Sequence, residues 1–181
     1  MRRVVVQPYD SIWQHLYIEE ARKLREIFKD QLMAIYHIGS TAVPGLAAKP
    51  IIDIMPVVKD IEAIDQLTER MMALGYEAKG ENGISGRRYF QKGGDDRTHH
   101  VHVYQQGNPE VTRHLAFRDY LRTFRGEMER YQHLKVELAK LYPFDIDSYV
   151  EGKNVFILVM EQKALSWYNS SLKQTDEMIS S

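Results

Sequence analysis

The chain has 181 residues, of which 44% are apolar and 27% charged, and its formal net charge is −1. These values are typical of one folded domain, and the charge excludes a general electrostatic surface for nucleic acid. Because there is no cysteine, disulfides, thiolate metal sites and thiol catalysis are excluded. No apolar run has the length of a signal-peptide core or a membrane span, so we expect a cytoplasmic protein without a membrane partner.

The first half of the chain shows alternating helical and strand-like patterns. Asp10 or Ser11 is suited to cap a first helix, because each offers a side-chain oxygen to free backbone N–H groups. The apolar spacing then predicts a helix over 12–28, a strand over 33–38, a tight turn at Gly39-Ser40-Thr41, a buried strand over 51–58 and a helix over 61–74.

The second half begins with strands and ends with helices. Strand-like runs cover 76–78, 88–91 and 99–104, and helices are predicted from Asn108 to about Phe124, from Gly126 to near Pro143, and from Asp147 or Ser148 to about Tyr168. The run 155–160 is apolar on all sides, which predicts deep burial, whereas the polar residues 169–181 predict a flexible tail. Together the elements predict one α+β domain over 1–168, with a mixed β-sheet flanked by helices and a C-terminal helical group.

The segment from His37 to Met55 contains the residues that point most directly to function. Gly39 permits close approach to the backbone, while Ser40 and Thr41 offer N–H and hydroxyl donors to an anion. Asp53 stands among β-branched residues, where a carboxylate is costly unless water, a cation or a hydrogen-bond network reaches it. These residues predict a phosphate site at one strand end and a metal site at the next. A capped helix and an acid in a bend are the structural alternative.

This segment resembles the GrpB family, a group within the nucleotidyltransferase-fold superfamily, and the resemblance runs from about Val5 to Tyr168. It also rests on residues 88–90, 99–103 and 115–122, and on Tyr149 with Lys153. The resemblance implies a nucleotidyltransferase-like fold, a nucleotide or phosphorylated metabolite as the ligand, and a divalent metal, Mg²⁺ or Mn²⁺. It implies no particular reaction, because the family has no established one.

Superfamily members place a Gly-Ser pair on the phosphates and hold two Mg²⁺ ions with about three carboxylates. By resemblance, Gly39 and Ser40 match the pair and Asp53 the first carboxylate, whereas Met55 stands at the second position and His102 at the third. Histidine prefers softer metals than Mg²⁺. We therefore expect Asp53 with His102 as metal ligands and leave open one-metal catalysis, a different metal or loss of catalysis.

The strand that contains His102 holds two further histidines. His100 shares a strand face with His102, because side chains alternate with period two, and His99 points the other way. His100 is therefore a candidate second histidine ligand or general base. A hydrogen-bonded structural histidine is the alternative for both.

Several cations are candidates for neutralising a bound phosphate. They are Lys49, Arg88, Arg113, Arg118 and Lys153. Lys153 lies on the apolar helix face that includes Tyr149, so it either extends to water or reaches into a polar pocket. For Arg113, Arg118 and Arg122, which lie on the helix that begins at Asn108, the alternative is a solvated helix face, and we favour it for Arg122. The aromatic residues do not interleave with Lys or Arg, so a nucleic-acid partner is not favoured.

Three functions remain open from the sequence. The first is a nucleotidyltransferase in which Asp53, Ser40, His102 and His100 are the catalytic residues. The second is a catalytically degenerate module that binds a nucleotide or coenzyme; Met55 supports it, and GrpB-like domains fused to dephospho-CoA kinase link it to coenzyme A metabolism. The third is a His-based metallohydrolase, which requires His37 to converge with His100, His102 and Asp53. The sequence indicates neither the acceptor nor the oligomeric state.

Overall fold

The structure, a computed structural model, describes the backbone of residues 3–179 and the side chains through residue 172. Its helices and strands are α1 (Ile12–Phe28), β1 (Leu32–Ile38), β2 (Ile52–Val58), α2 (Thr68–Ala73), β3 (Tyr76–Ala78), β4 (Arg87–Lys92), β5 (His99–Gln105), α3 (Pro109–Thr123), α4 (Arg125–Leu141) and α5 (Ile146–Ile179). Within this part of the chain, no helix combines the length and apolar character that crossing a bilayer requires.

The strands form one five-stranded sheet in the order β1-β2-β5-β4-β3. Strands β2 and β5 are parallel, and the other neighbours are antiparallel. This mixed sheet with flanking helices confirms the predicted fold class. Because β2 and β5 run in the same direction, their first residues lie at the same end of the sheet, where Asp53 pairs in register with His100.

The two faces of the sheet are covered by different helices. Helix α1 covers one face, where Leu24 and Phe28 share a buried core with Ile54 and Val101. On the other face, Met55 and Tyr104 are fully buried and pack against α3. Since side chains alternate along a strand, Asp53, His100 and His102 belong to this second face. The sheet therefore presents its polar residues to the helical group α3–α5.

The helical group has a core of its own, which joins the three C-terminal helices to the loop after β1. Its buried members are Val43, Leu46, Ala116, Tyr120, Leu121, Tyr131, Met160 and Ala164. This core fixes α4 and α5 relative to the sheet. Side chains from the loop after β1, from the sheet and from the helical group therefore face one common space.

Several element boundaries differ from the sequence prediction. The segment predicted as one helix over 61–74 is a 3₁₀ turn, Glu62–Leu67, followed by α2. Helix α3 begins as predicted, with the Asn108 side chain accepting a hydrogen bond from the Glu110 N–H at 2.9 Å. At the start of α5, Asp145 rather than Asp147 or Ser148 is the cap, because its carboxylate accepts the Ser148 N–H at 3.0 Å.

Helix α5 differs most from the prediction. It continues to Ile179, past the predicted end near Tyr168. Deep burial of the run 155–160 is wrong for one side of the helix, because Val155 is 75% exposed and Leu158 59% exposed. Side chains beyond residue 172 and residues 180–181 lie outside the described part, and a flexible tail over 169–181 stays a prediction.

Candidate metal and phosphate site

Asp53 contacts two histidines of the neighbouring strand. Its Oδ1 lies 3.0 Å from His102 Nε2 and 3.3 Å from His100 Nδ1. The period-two alternation places both rings on the same face of β5, and the parallel register brings Asp53 opposite His100. The sequence predicted that Asp53 and His102 lie together, and the structure adds His100 as a third member of this cluster.

These three residues form a donor set that fits a divalent metal ion. One ligand atom from each residue lies within 4.8 Å of the others. Two imidazoles with one carboxylate favour Mn²⁺, Fe²⁺ or Zn²⁺ over Mg²⁺, which prefers oxygen ligands. His100 Nε2 is buried without a hydrogen-bond partner, and Met55, at the expected second carboxylate position, is fully buried against Ile38 and Tyr104. The geometry therefore fits one metal and gives no support for two.

The protonation of the site follows from its hydrogen bonds. Burial raises the pKa of Asp53, but hydrogen bonds from His100 and His102 outweigh burial and hold this pKa far below its ordinary value. The Arg87 Nη1 lies 3.5 Å from His102 Nδ1. Since a guanidinium only donates, His102 carries its proton on Nε2 and donates it to Asp53. A metal ion at Nε2 would take the place of that proton.

The Gly-Ser turn lies directly against the carboxylate. A Cβ built on Gly39 would lie 2.7 Å from Asp53 Oδ2, and Gly39 has a φ of +73°. Both facts require glycine at this position. Ser40 begins a short 3₁₀ turn, Ser40–Ala42, and its side chain adjoins the buried Tyr131 of α4. The Gly39–Thr41 turn and Asp53 thus face one common space, as the sequence predicted.

Two arginines hold this turn from behind. Arg118 Nη1 donates to the His37 carbonyl at 3.1 Å, and Arg122 donates to the Ala42 carbonyl through Nε at 2.9 Å and Nη2 at 2.7 Å. Arg118 lines a separate cavity on the far side of the turn. The structure therefore does not bring Arg118 to the space between the turn and Asp53, because the guanidinium is engaged by the backbone of the turn.

Thr41 and His37 also support the turn rather than line the metal site with their polar groups. The Thr41 hydroxyl donates to the Ile51 carbonyl at 3.4 Å and accepts from His37 Nε2 at 2.9 Å. His37 stacks on Tyr17, and burial lowers the pKa of His37 to about 4. On β1 it pairs with Ile54, so it faces away from Asp53. A His-based metallohydrolase requires His37 to lie beside Asp53, His100 and His102. The structure does not bring His37 to these residues, so that prediction is wrong.

A cavity of about 310 Å³ opens over Asp53, His100 and the Gly39–Thr41 turn. Its walls come from the Gly39–Thr41 turn, β2, β5 and the three C-terminal helices. The charged residues that line it are Lys49, Asp53, Arg113, Lys135, Lys153 and Glu161. Lys49, Arg113 and Lys153 were predicted from the sequence as phosphate-neutralising residues, and the structure places all three in this wall.

Two of the predicted arginines are engaged by carboxylates. Arg113 donates to Glu110 at 2.6 Å and to Glu161 at 2.6 Å, so its charge in the cavity is already balanced. Arg88 pairs with Val103, not with a histidine, and its guanidinium binds Asp65 at 2.6 and 3.1 Å. Arg88 therefore lies on the opposite face of the sheet, and the structure does not bring it to the site.

Sequence analysis missed Lys135, Tyr131, His114 and Glu161. Lys135 lies four residues after Tyr131 and three before Leu138 on the apolar face of α4, a spacing that resembles that of Lys153 on α5. A lysine within an apolar helix stripe was therefore an available signal. His114 follows Arg113 on α3, where burial and the Arg113 charge lower the pKa of His114 to about 3.

The sheet, the Gly-Ser turn and the adjacent acid define a protein of the nucleotidyltransferase fold. The structure of the Cid1 poly(U) polymerase in complex with its short product ApU is similar over 75% of this chain and 43% of that chain, with a TM-score of 0.50 and 14% sequence identity. At this identity the similarity concerns the fold.

The family follows from the sequence model of the GrpB protein, which matches residues 3–163, so the chain belongs to the GrpB family. The crystal structure of the conserved protein GrpB from Enterococcus faecalis has a TM-score of 0.88 and 47% identity, covering 91% of this chain and 99% of that chain. The UPF0157 protein YqkA of Bacillus subtilis is 49% identical over 92% of this chain. The matched region makes up 48% of the length of YqkA, so this chain spans about half of that relative. A dephospho-CoA kinase of Mycolicibacterium paratuberculosis is 25% identical over 91% of this chain and 46% of its own length.

Proposed function

We propose that the cavity binds one divalent transition metal through Asp53, His100 and His102, together with the phosphate groups of a nucleotide or phosphorylated metabolite. The observation on which the proposal depends is the position of Asp53, whose two carboxylate oxygens face the histidines and the Gly39 turn respectively. A metal on one side of this carboxylate and an anion at the turn would neutralise each other's charge at short range.

The side chains around the carboxylate would supply positioning and charge rather than covalent chemistry. Transfer of a nucleotidyl group needs donors around the phosphates, a cation on their oxygens and an aligned acceptor. Ser40 and the backbone of the turn are the donors, and the bound metal would act as a Lewis acid on a phosphate oxygen. His100 is a metal ligand in this proposal, so its imidazole is not available as the general base, and the proton of the acceptor would pass to solvent. We propose such a transfer, to an acceptor still to be found, as the activity.

A second candidate function is a binding module without turnover. The specific observation in its favour is Met55, which fills the place of a second metal-binding carboxylate with a fully buried apolar side chain. Two-metal catalysis of phosphoryl transfer depends on such a carboxylate. The similarity to dephospho-CoA kinases makes coenzyme A and its phosphorylated precursors the first ligands to test for this module.

Metal and nucleotide binding test the proposal before any reaction is sought. Protein prepared without a histidine tag is titrated with Mn²⁺, Co²⁺ or Zn²⁺, and then with nucleotides and coenzyme A precursors. We expect stoichiometric metal binding, tighter nucleotide binding with metal, and loss of both in Asp53→Asn. His99→Asn is the matched control, because His99 is the neighbour of the ligands on the opposite sheet face. Equal metal binding by wild type and Asp53→Asn would contradict the proposal.

Turnover separates the two candidate functions. Each nucleotide that binds is incubated with protein and Mn²⁺, and pyrophosphate release is measured over time. Release that disappears in Asp53→Asn supports nucleotidyl transfer. Metal-dependent binding without release in the presence of candidate acceptors favours the module.

A further inference from the structure

Three lysines from three different parts of the chain converge on one wall of the cavity. Lys49 precedes β2, Lys135 belongs to α4, and Lys153 to α5. The Nζ atoms of Lys49 and Lys153 lie 4.9 and 4.4 Å from the centroid of the same ring, Tyr149. Lys135 Nζ lies 4.6 Å from the Tyr131 ring, and Tyr131 lines the same cavity as the Gly39–Thr41 turn. The lysine wall thus adjoins the Gly39–Thr41 turn.

This arrangement is unfavourable in the empty cavity. Lys135 is only 2% exposed and donates to the Ala47 carbonyl, which is a neutral group. Among the ion pairs of the described residues, neither Lys135 nor Lys153 has a carboxylate partner. Like charges in a poorly solvated space repel each other strongly. Burial, followed by repulsion from neighbouring lysines, lowers the pKa of Lys135 to about 7 and that of Lys153 to about 8.

We propose that Lys49, Lys135 and Lys153 form an anion subsite, separate from the metal ligands, that receives a polyphosphate-type group and takes up protons from solution when the group binds. The subsite deepens the proposed function, on which it rests, by specifying a ligand with several negative charges beyond the phosphate at the metal. A bound anion favours the charged form of each lysine. The lysines repel one another when no anion is bound, whereas each protonated lysine attracts a bound anion.

The other titratable and charged groups of the cavity do not provide this charge balance for Lys135 and Lys153. They are Asp53 on β2, His100 on β5, Arg113 and His114 on α3, Tyr131 on α4, and Tyr149 and Glu161 on α5. Lys49 also borders a neighbouring cavity, which is lined by Arg3, Asp95, Asp96 and Arg97. Glu161 is bound by Arg113, and Asp53 by the histidines. Burial raises the pKa of both tyrosines, so they stay neutral. As pH rises above about 7, Lys135 and then Lys153 lose protons in the free protein, and anion affinity therefore falls.

Calorimetry with inorganic tripolyphosphate and metal-free protein tests the subsite independently of the metal. At about pH 8, binding heats measured in buffers of different ionisation enthalpy give the number of protons taken up per bound anion. We expect wild type and Asp53→Asn both to bind tripolyphosphate. We expect Lys153→Met to bind it about tenfold more weakly, which equals 1.4 kcal/mol, and to take up fewer protons than wild type.

Lys163→Met is the matched control, because Lys163 is on the same helix but pairs with Glu127 on the exposed surface. It should match wild type in affinity and in proton uptake. If Lys153→Met does not fold, Lys49→Met is measured in its place with the same expectation. Absence of tripolyphosphate binding to the metal-free wild type, or equal affinity and proton uptake in the Lys153 and Lys163 variants, would overturn the subsite. Intact metal binding in that case would leave the proposed metal site standing.

Discussion

Gly39 and Asp53 are packed so closely that position 39 has no room for a side chain. A Cβ on Gly39 would lie 2.7 Å from Asp53 Oδ2 and 3.2 Å from Asp53 Cγ. The contact joins the end of β1, where the anion donors begin, to the carboxylate of β2. Gly39 and Asp53 therefore form one packed unit, and a side chain at position 39 would displace the carboxylate.

Gly39→Ala tests this unit. A non-glycine residue at φ +73° costs about 1–3 kcal/mol of strain, and the new methyl group must also push the carboxylate away from the histidines. We expect lower stability in chemical denaturation and metal affinity reduced by about 10- to 100-fold. Gly45→Ala is the control, since Gly45 has φ +85° but its nearest atom is Met128 Cε at 3.8 Å. That variant should lose stability and keep its metal affinity; equal metal loss in both would contradict the close contact.

The three histidines of β5, His99, His100 and His102, give a sharp test of the proposed metal ligands. We expect His100→Ala and His102→Ala each to weaken Co²⁺ binding by at least about 10- to 100-fold, because each removes a ligand of the Asp53 cluster. His99→Ala should bind Co²⁺ like wild type, since His99 faces the opposite side of the sheet. The visible spectrum of bound Co²⁺ measures all three variants. A loss confined to His99→Ala would refute the assigned set.

Arg122 is expected to control the shape of the phosphate turn without contacting the ligand. Its two hydrogen bonds to the Ala42 carbonyl are lost in Arg122→Gln, at a cost of about 1 kcal/mol for this partly exposed side chain. We expect weaker nucleotide binding in the presence of metal and unchanged affinity for the metal itself. Arg125→Gln, at an exposed position, is the control. A parallel loss of metal affinity in Arg122→Gln would show that the turn and the metal ligands are not held independently.

Glu20 gives the fold a pH-dependent contribution on the face of the sheet opposite the site. It accepts hydrogen bonds from Tyr76 at 2.9 Å and Lys92 at 2.8 Å. Burial raises the pKa of Glu20, but these bonds outweigh it and hold the pKa below its ordinary value of 4.5. The stabilisation is therefore complete above about pH 4.5 and is lost as pH falls through the lowered folded-state pKa.

Glu20→Gln is expected to reduce stability at neutral pH by about 1–3 kcal/mol, because Lys92 loses its charged partner. Denaturant titrations from about pH 7 down to pH 3 should show the difference from wild type shrinking below about pH 4.5. Glu19→Gln serves as the control, because Glu19 is the exposed neighbour of Glu20. Its stability should follow that of wild type at every pH. A difference between Glu20→Gln and wild type that is constant with pH would refute the role of this carboxylate.

The local part of the site was predictable from sequence periodicity. Period two placed His100 and His102 on one strand face and His99 on the other, and the Gly39-Ser40 turn beside a lone acid indicated an anion site. Arg88 was different, because the face of β4 on which it lies depends on the register with β5. The hairpin between the two strands sets that register, so Tyr89 faces His102 and Arg88 faces away.

The lysine wall was less accessible to sequence analysis, because it depends on how helices dock. Lys135 and Lys153 are equally placed in apolar stripes, yet only contact between α4, α5 and the sheet brings them together. The same limit applies to α5, whose apolar residues at 155 and 158 are exposed although the run has no polar face. Composition shows that a helix is apolar, while packing decides which side of it is covered.

Diffraction from crystals grown with Zn²⁺, recorded at the zinc absorption edge, tests the central claim most directly. The account predicts one anomalous peak with Zn–N distances of about 2.0–2.1 Å to His100 and His102 and a bond of about 2.0–2.2 Å to Asp53. A peak at other residues, or no peak while the Asp53 carboxylate keeps its hydrogen bonds to both rings, would contradict it.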